Sequence, residues 1–270
     1  MSIDTIDLQR RFGGVIRLYG EIGFAKLQAA HIVVIGIGGV GSWAVEALAR
    51  NAVGQITLID LDNIAESNVN RQLHAVDNSF GLAKVTAMAK RIKSINPLVK
   101  VLEVEDFITP QNIAALLNFN VLSKPHMLID CVDDAKAKIT LATFCKQQKI
   151  PMVMSGSAGG RLDPTRIQVA DMSAVSGDKL LAKVRNQLRR DHGFPKASQQ
   201  KKSAKFSIPC VFSDEPVILP NEVCVLENES QAQPVGVTGL NCAGYGSSVC
   251  VTAPFGFTLA NLAIKAVLGT

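Results

Sequence analysis

Apolar positions along the first half of this chain follow two rhythms, one of short unbroken runs and the other near 3.6 residues. Ile32, Val33, Val34 and Ile35 form a short run with no polar interruption, as a buried strand does. It leads into glycines at Gly36, Gly38, Gly39 and Gly41, after which residues 42–51 read as a helix with Val45, Leu48 and Ala49 on one side. Residues 55–60 repeat the strand pattern, and a polar loop covers 62–78. Then Leu82, Val85, Met88, Ala89, Ile92 and Ile95 recur at three and four, predicting an amphipathic helix over 82–96. A strand over 99–104 comes next, and Thr109-Pro110 opens a short helix to 117. A strand over 127–131, a helix over 135–149 and a strand over 151–154 complete the series. Strands alternating with helices predict a Rossmann-like α/β fold, a doubly wound and mostly parallel sheet.

Past residue 154 the alternation stops, which makes the C-terminal half an elaboration. A loop S-G-S-A-G-G precedes a strand over 166–170, a basic helical stretch over 174–192 and a polar loop over 193–206. Several short strands and a terminal helix from about residue 258 are expected after it. From 240 to 264 no residue is charged, so a membrane span has to be weighed. Asn241, Gly244, Gly246, Ser247, Ser248, Pro254 and Asn261 make that stretch a poor lipid-facing helix, and a buried strand-turn-helix ending is expected instead.

Composition changes this picture at two points. The apolar fraction of 47% suits an ordinary globular core, and a net charge of +5 is only mildly basic. However, 9 of the 28 basic residues fall within the 27 positions 179–205, against the single acid Asp191. Lys179, Lys183, Arg185, Arg189 and Arg190 share near-helical spacing, while Lys196, Lys201, Lys202 and Lys205 lie in the loop. Only Phe194 and Phe206 accompany them, so a polyanion would be held by phosphate contacts more than by stacking. The six cysteines show no C-x-x-C spacing, which argues against structural zinc and suggests reduced thiols. Met1 to Phe12 lacks an apolar signal region, so a cytoplasmic protein is expected.

The glycine loop is the candidate chemistry. Strand, glycine turn and helix start in that order are what a phosphate-binding loop requires, because a phosphate approaches without meeting Cβ atoms and finds unpaired N–H groups. Asp60 ends the next apolar run, where a carboxylate accepts from ribose hydroxyls. A dinucleotide site would stop there. Here Asp62, Asn68, Asn70, Arg71 and Gln72 follow, and Lys84 opens the next helix. Cations at Arg71 and Lys84 suit a triphosphate, and Asp130 or Asp133, ending a strand of the same sheet, could hold Mg2+ against it.

G-I-G-G-V-G, L-I-D-L-D, S-N-V-N-R-Q, G-L-A-K and D-C-V-D, in this order between Gly36 and Asp133, resemble the adenylation domain of the ubiquitin-activating-like superfamily. That superfamily includes the enzymes that adenylate the sulfur carriers of thiamine and molybdopterin synthesis. The resemblance implies that Gly39 and Gly41 approach ATP, that Asp60 takes the ribose, that Asn68, Arg71 and Lys84 contact the phosphates, and that Asp133 supports the metal. It implies a homodimer whose N-terminal arginine completes the neighbour's site. Gly14 stands where that arginine falls in the sulfur-carrier enzymes, leaving Arg17 or Arg11 to substitute, and their two C-x-x-C zinc pairs are missing.

R-F-G-G-x-x-R-L-Y-G near the start, G-S-A-G-G-R-L-D-P-T over 156–165 and C-V-F-S-D-E over 210–215 are similar to a narrower family, the tRNA threonylcarbamoyladenosine dehydratases. This implies ATP-dependent cyclisation of the threonylcarbamoyl base in tRNA through an acyl-adenylate, with Lys183, Arg189, Arg190, Lys201, Lys202 and Lys205 on the RNA. No catalytic cysteine is required, and Cys210 and Cys224 are expected to be idle thiols. A monovalent cation in the Gly156–Gly160 loop and a cysteine-desulfurase-type sulfur-transfer partner are left open. The expected organisation is an arm over 1–30, an ATP-binding adenylation core over 31–170 and a C-terminal extension over 171–270, packed on the core as one domain. Adenylation of a ubiquitin-like protein's C-terminus and a dinucleotide-dependent oxidoreductase are the alternatives.

Overall fold

A computed structural model describes residues 6–118, 124–196, 204–218 and 245–270. The apolar runs become strands β1 (His31–Ile35), β2 (Gln55–Ile59), β3 (Lys100–Val104), β4 (Met127–Asp130), β5 (Met152–Ser155), β6 (Ile167–Asp171) and β7 (Pro209–Ser213). They form one sheet in the order β3-β2-β1-β4-β5-β7-β6, parallel throughout except for the β6–β7 pair at one edge. This is the doubly wound α/β fold that the alternation predicts.

Period-two geometry divides each buried strand between two cores. Ile32, Val34, Ile56 and Leu58 face helices α2 (Gly41–Arg50), α3 (Lys84–Ile95) and α7 (Val249–Leu268), meeting Val45, Leu48, Met88, Ile92 and Phe255. Val33, Ile35, Ile59 and Leu128 face the other way, toward α5 (Ala135–Gln148) and α6 (Lys179–Asp191), where Leu141, Leu181, Val184 and Leu188 are buried. A run that alternation alone would make one-sided is apolar at every position because both faces are covered.

Helix α1 (Leu8–Ala29) precedes the sheet and is broken by non-helical backbone at Phe12 and Gly20, so the arm is helical and irregular as expected. Thr109 and Asn112 exchange side-chain and backbone hydrogen bonds in a turn, and the helix they introduce, α4, is a single turn over Ile113–Leu116. α6 starts at Lys179 rather than near 174, because the Asp178 carboxylate caps it by accepting from the Leu181 N–H at 2.8 Å.

The terminal helix is the larger correction. It begins at Val249, nine residues before the expected start, with Ser248 as its cap and Pro254 inside it. Pro254 and Gly256 read as turn residues in isolation. Gly256 instead lets α7 cross α2 at close range: a Cβ there would lie 2.4 Å from the Val40 carbonyl oxygen and 2.8 Å from the Ala44 nitrogen. Val251, Phe255, Leu259, Ala260, Ala263 and Ile264 form the buried stripe of this helix. α7 is long and apolar enough to cross a membrane, with mean hydropathy 1.5, yet half of that window is buried inside the protein.

Candidate active site

Strand β1 lies between β2 and β4, so the sheet changes winding direction there and opens a crevice beyond the strand ends. Ile35 is in register with both Ile59 and Asp130, which starts three loops side by side at Gly36, Asp60 and Cys131. Gly36 has φ +84°, and a Cβ on it would lie 2.9 Å from the carbonyl of Cys131. A Cβ on Gly41 would overlap the Gly36 carbonyl oxygen at 1.8 Å, so the loop closes only around bare backbone. Gly38 is near the Gln72 amide, and Gly39 rests on the aliphatic stem of Arg71. Among the described residues the N–H groups of Gly38, Gly39 and Val40 donate to no protein acceptor. They stand at the start of α2, where its dipole favours an anion.

Asp60 is fixed at the rim of this loop. One carboxylate oxygen accepts from the Ile37 N–H at 2.5 Å and the other from the Asp62 N–H at 2.9 Å. Burial pushes its carboxyl above the usual range, against the pull of the Lys84 charge. Lys84, the first residue of α3 and itself buried, pairs with Asp62 at 2.6 Å and lies 3.9 Å from Asp60. Arg71 donates to the Ser67 carbonyl at 3.0 Å and to Asn70 Oδ1 at 3.1 Å. Asn68 is buried and holds the preceding turn, its Oδ1 accepting from the Ala65 N–H at 3.1 Å. Gln72 is buried with its Oε1 unpartnered among the described residues.

Past β4, Asp133 is exposed beyond the carboxyl end of that strand, and its neighbour Asp134 caps α5. Asp130 differs from expectation. It is wholly enclosed and paired with Lys138 at 3.2 Å, both side chains being 0% exposed, so it does not open onto the crevice. The structure thus gathers Gly36, Gly38, Gly39, Gly41, Asp60, Asp62, Asn68, Arg71, Gln72, Lys84 and Asp133 around three adjoining loops. The two later motifs also become one unit. Glu215 accepts from the N–H groups of Leu162 and Asp163 at 3.1 and 3.0 Å, and Asp214 takes Arg166 at 2.8 Å, which ties C-V-F-S-D-E to G-S-A-G-G-R-L-D-P-T.

The ThiF family pattern matches residues 13–270. The chain belongs to the ThiF family. It is 42% identical over 273 residues to the tRNA threonylcarbamoyladenosine dehydratase of Escherichia coli (strain K12), covering 99% of this chain and 97% of that protein. It is 44% identical over 261 residues to the enzyme of the same name from Haemophilus influenzae, covering 96% and 94%. The crystal structure of the E. coli enzyme TcdA in complex with ATP superposes with a TM-score of 0.82 at 41% identity, over 97% of this chain and 95% of that one.

Several contacts of this ThiF-family site carry no sequence signal. Trp43 Nε1 donates to the Arg71 carbonyl at 3.0 Å, and Asn70 donates to the Ser247 carbonyl at 2.8 Å while its own carbonyl accepts from Val249. The arginine loop is thereby fastened to α2 and to the start of α7, some 177 residues away in the chain. His74 is buried with both ring nitrogens unpartnered among the described residues, and burial, with the Lys84 charge, lowers its pKa to about 4. None of these contacts is local.

The two candidate arm arginines, Arg11 and Arg17, separate clearly. Arg11 donates to the Ser94 and Ile95 carbonyls at the C-terminus of α3, at 3.3 and 2.7 Å. Arg17 is exposed, with no hydrogen bond or ion pair among the described residues. In the basic segment Lys183 and Lys205 are exposed, Arg190 pairs with Asp191 at 2.9 Å, and Arg189 donates to the Pro195 carbonyl and stacks over Phe206. Phe194 and Phe206 are buried against each other at 5.0 Å, closing the base of the loop. Lys201, Lys202 and Cys224 lie outside the described residues. Burial pushes the Cys131 and Cys210 thiols far up and that of Cys145 up to about 12, so none of the three is a poised nucleophile.

Proposed function

We propose that this chain is an ATP-dependent tRNA threonylcarbamoyladenosine dehydratase, and that the cradle of free amides, Asp60, Arg71 and Lys84 is its adenylation site. The observation that carries this reading is the meeting of those groups beyond the carboxyl ends of adjacent central strands. The glycine-loop amides and the α2 N-terminus take the phosphates, Asp60 takes the ribose hydroxyls, and Arg71 and Lys84 balance charge. The threonyl carboxylate attacks the α-phosphorus, the bond to the β-phosphate breaks, and pyrophosphate leaves. A carboxylate and a triphosphate repel, so cations that act as charge develops lower the barrier most. The urea-like group of the same base then attacks the acyl-adenylate carbonyl and expels AMP. That nucleophile is tethered to its electrophile and gains in effective molarity.

Asp133 fits a magnesium ion, which binds through one or two carboxylates together with substrate phosphates. Among the described residues no cluster of three His, Cys, Asp or Glu side chains could hold a metal alone, so the phosphates would complete its shell. Magnesium would neutralise phosphate charge there. The Gly156–Gly160 loop is the place we assign to a monovalent cation, and the cytoplasm the compartment. No step moves sulfur, so the reaction needs no sulfur-transfer partner.

The working unit is a homodimer in which Arg17 of one copy reaches the neighbour's site, Arg11 being committed to capping α3. Lys183, Arg189, Arg190, Lys201, Lys202 and Lys205 hold the tRNA backbone, and the modified base supplies specificity. The deciding experiment incubates the protein with ATP and tRNA bearing the threonylcarbamoyl base, then weighs the nucleosides. Loss of one water per base with one AMP formed is the expected result; unchanged base would refute the proposal.

A further inference from the structure

The buried Asp130–Lys138 pair has no role in the reaction as derived above, and its cost asks for one. Both side chains are 0% exposed at 3.2 Å separation. Replacing such a pair with apolar residues is often neutral or stabilising, so stability alone is a weak reason for it. Its surroundings supply a better one. Asp130 Oδ1 accepts from the Val132 N–H at 3.0 Å, closing a turn just as the chain leaves β4. The Cys131–Val132 peptide in that turn is the surface on which Gly36 rests, a Cβ there lying 2.9 Å from Cys131 and 3.0 Å from the Val132 nitrogen. Gly41 packs on the same point, 3.3 Å from Cys131 Cβ by the same measure. Lys138 belongs to α5 and donates its N–H to the Asp134 carbonyl at 3.1 Å, while the Asp134 carboxylate caps that helix. Asp133 therefore stands on an arc fixed at one end by Asp130 and at the other by Asp134, and the ion pair joins the two ends.

We infer that Asp130 is a positioning residue for the adenylation site: through the bond it accepts from the Val132 N–H it holds the arc that carries Asp133 and seats the glycine loop, without touching nucleotide, while Lys138 balances its buried charge. The inference rests on the proposed adenylation site but not on the identity of its acceptor. A misplacement on the order of 1 Å at such a point costs about a hundredfold in rate.

The test compares two charge-free pairs in the full chain. Asp130→Leu/Lys138→Met removes the charges and the turn bond together. Asp130→Asn/Lys138→Met removes the charges but keeps an oxygen for the Val132 N–H. The leucine pair is expected to melt cooperatively near the parent temperature, to lose about a hundredfold in AMP formation, and to lose most of the gain in calorimetric ATP affinity that Mg2+ gives over EDTA. The asparagine pair should recover the larger part of both. Equal behaviour of the two pairs overturns the inference, and so does a leucine pair with parental magnesium dependence. Should the leucine pair not fold, the asparagine pair decides alone: a hundredfold loss there in a folded protein also overturns it. Because ATP binding is read without tRNA, a wrong acceptor would leave this comparison standing.

Discussion

The nucleotide crevice and the basic helix α6 both carry arginine and lysine, and they hold them in opposite ways. Lys84 is buried, 2.6 Å from Asp62, and sits where α3 begins. Lys183 is exposed on a helix face, and its neighbours Arg189 and Arg190 are partly spent on Pro195 and Asp191. A cation held in place out of water acts strongly on charge that develops beside it, whereas an exposed one is screened within about 10 Å and contributes to affinity in proportion to displaced counterions. The first kind of site should govern rate and the second salt-dependent capture.

The sharpest break of this contrast is Lys84→Ala. We expect AMP formation to fall by about 10²–10³-fold with little change in ATP affinity, measured by single-turnover kinetics and calorimetry. Normal turnover would put Lys84 outside the reaction. In the arm, Arg17→Ala should cost about a hundredfold in rate and recover when mixed with a site-dead, arginine-intact copy, while Arg11→Ala should instead lower the melting temperature by loss of its α3 cap. A parental rate for Arg17→Ala would remove the arginine in trans.

Asp60→Ala should weaken ATP binding by about tenfold, since it loses hydrogen bonds to ribose while the fold stays cooperative. Next comes the basic segment. Lys183→Glu with Lys205→Glu should lower the slope of log affinity for tRNA against log salt by about one per lost contact and leave ATP binding alone. An unchanged slope would exclude these two lysines from the footprint.

The smallest effect concerns His74. Its folded pKa of about 4 lies below the unfolded value near 6.5, so the unfolded chain binds the proton first and stability falls as pH drops between those values. From pH 7 to pH 6 the loss is about 0.7 kcal/mol. His74→Phe should flatten that part of the urea-unfolding profile, and an identical profile would show the ring to be solvated.

How much of this was legible in the chain follows from the range of each interaction. Buried strands, the glycine loop and Asp60 are local patterns: a run of four apolar residues, a turn that only glycine can close, an acid at the next strand end. Such features obey the geometry of a few neighbouring residues, and the fold class and the shape of the glycine loop were written in them. α7 begins earlier than expected because Pro254, a turn residue by local rules, lies inside a helix that Gly256 lets cross α2 at close range. Asp130 and Asp133 stand three residues apart in one motif, yet only the placement of Lys138 from α5 encloses the first and leaves the second exposed. The same holds for Arg11 and Arg17, alike in sequence and divided by the α3 carbonyls that one of them meets. Periodicity and turn chemistry are properties of the chain itself, so the sequence determined the fold and the glycine loop. Burial and partner choice belong to the packed whole, so only the tertiary structure decided which charges stay in water and which are enclosed.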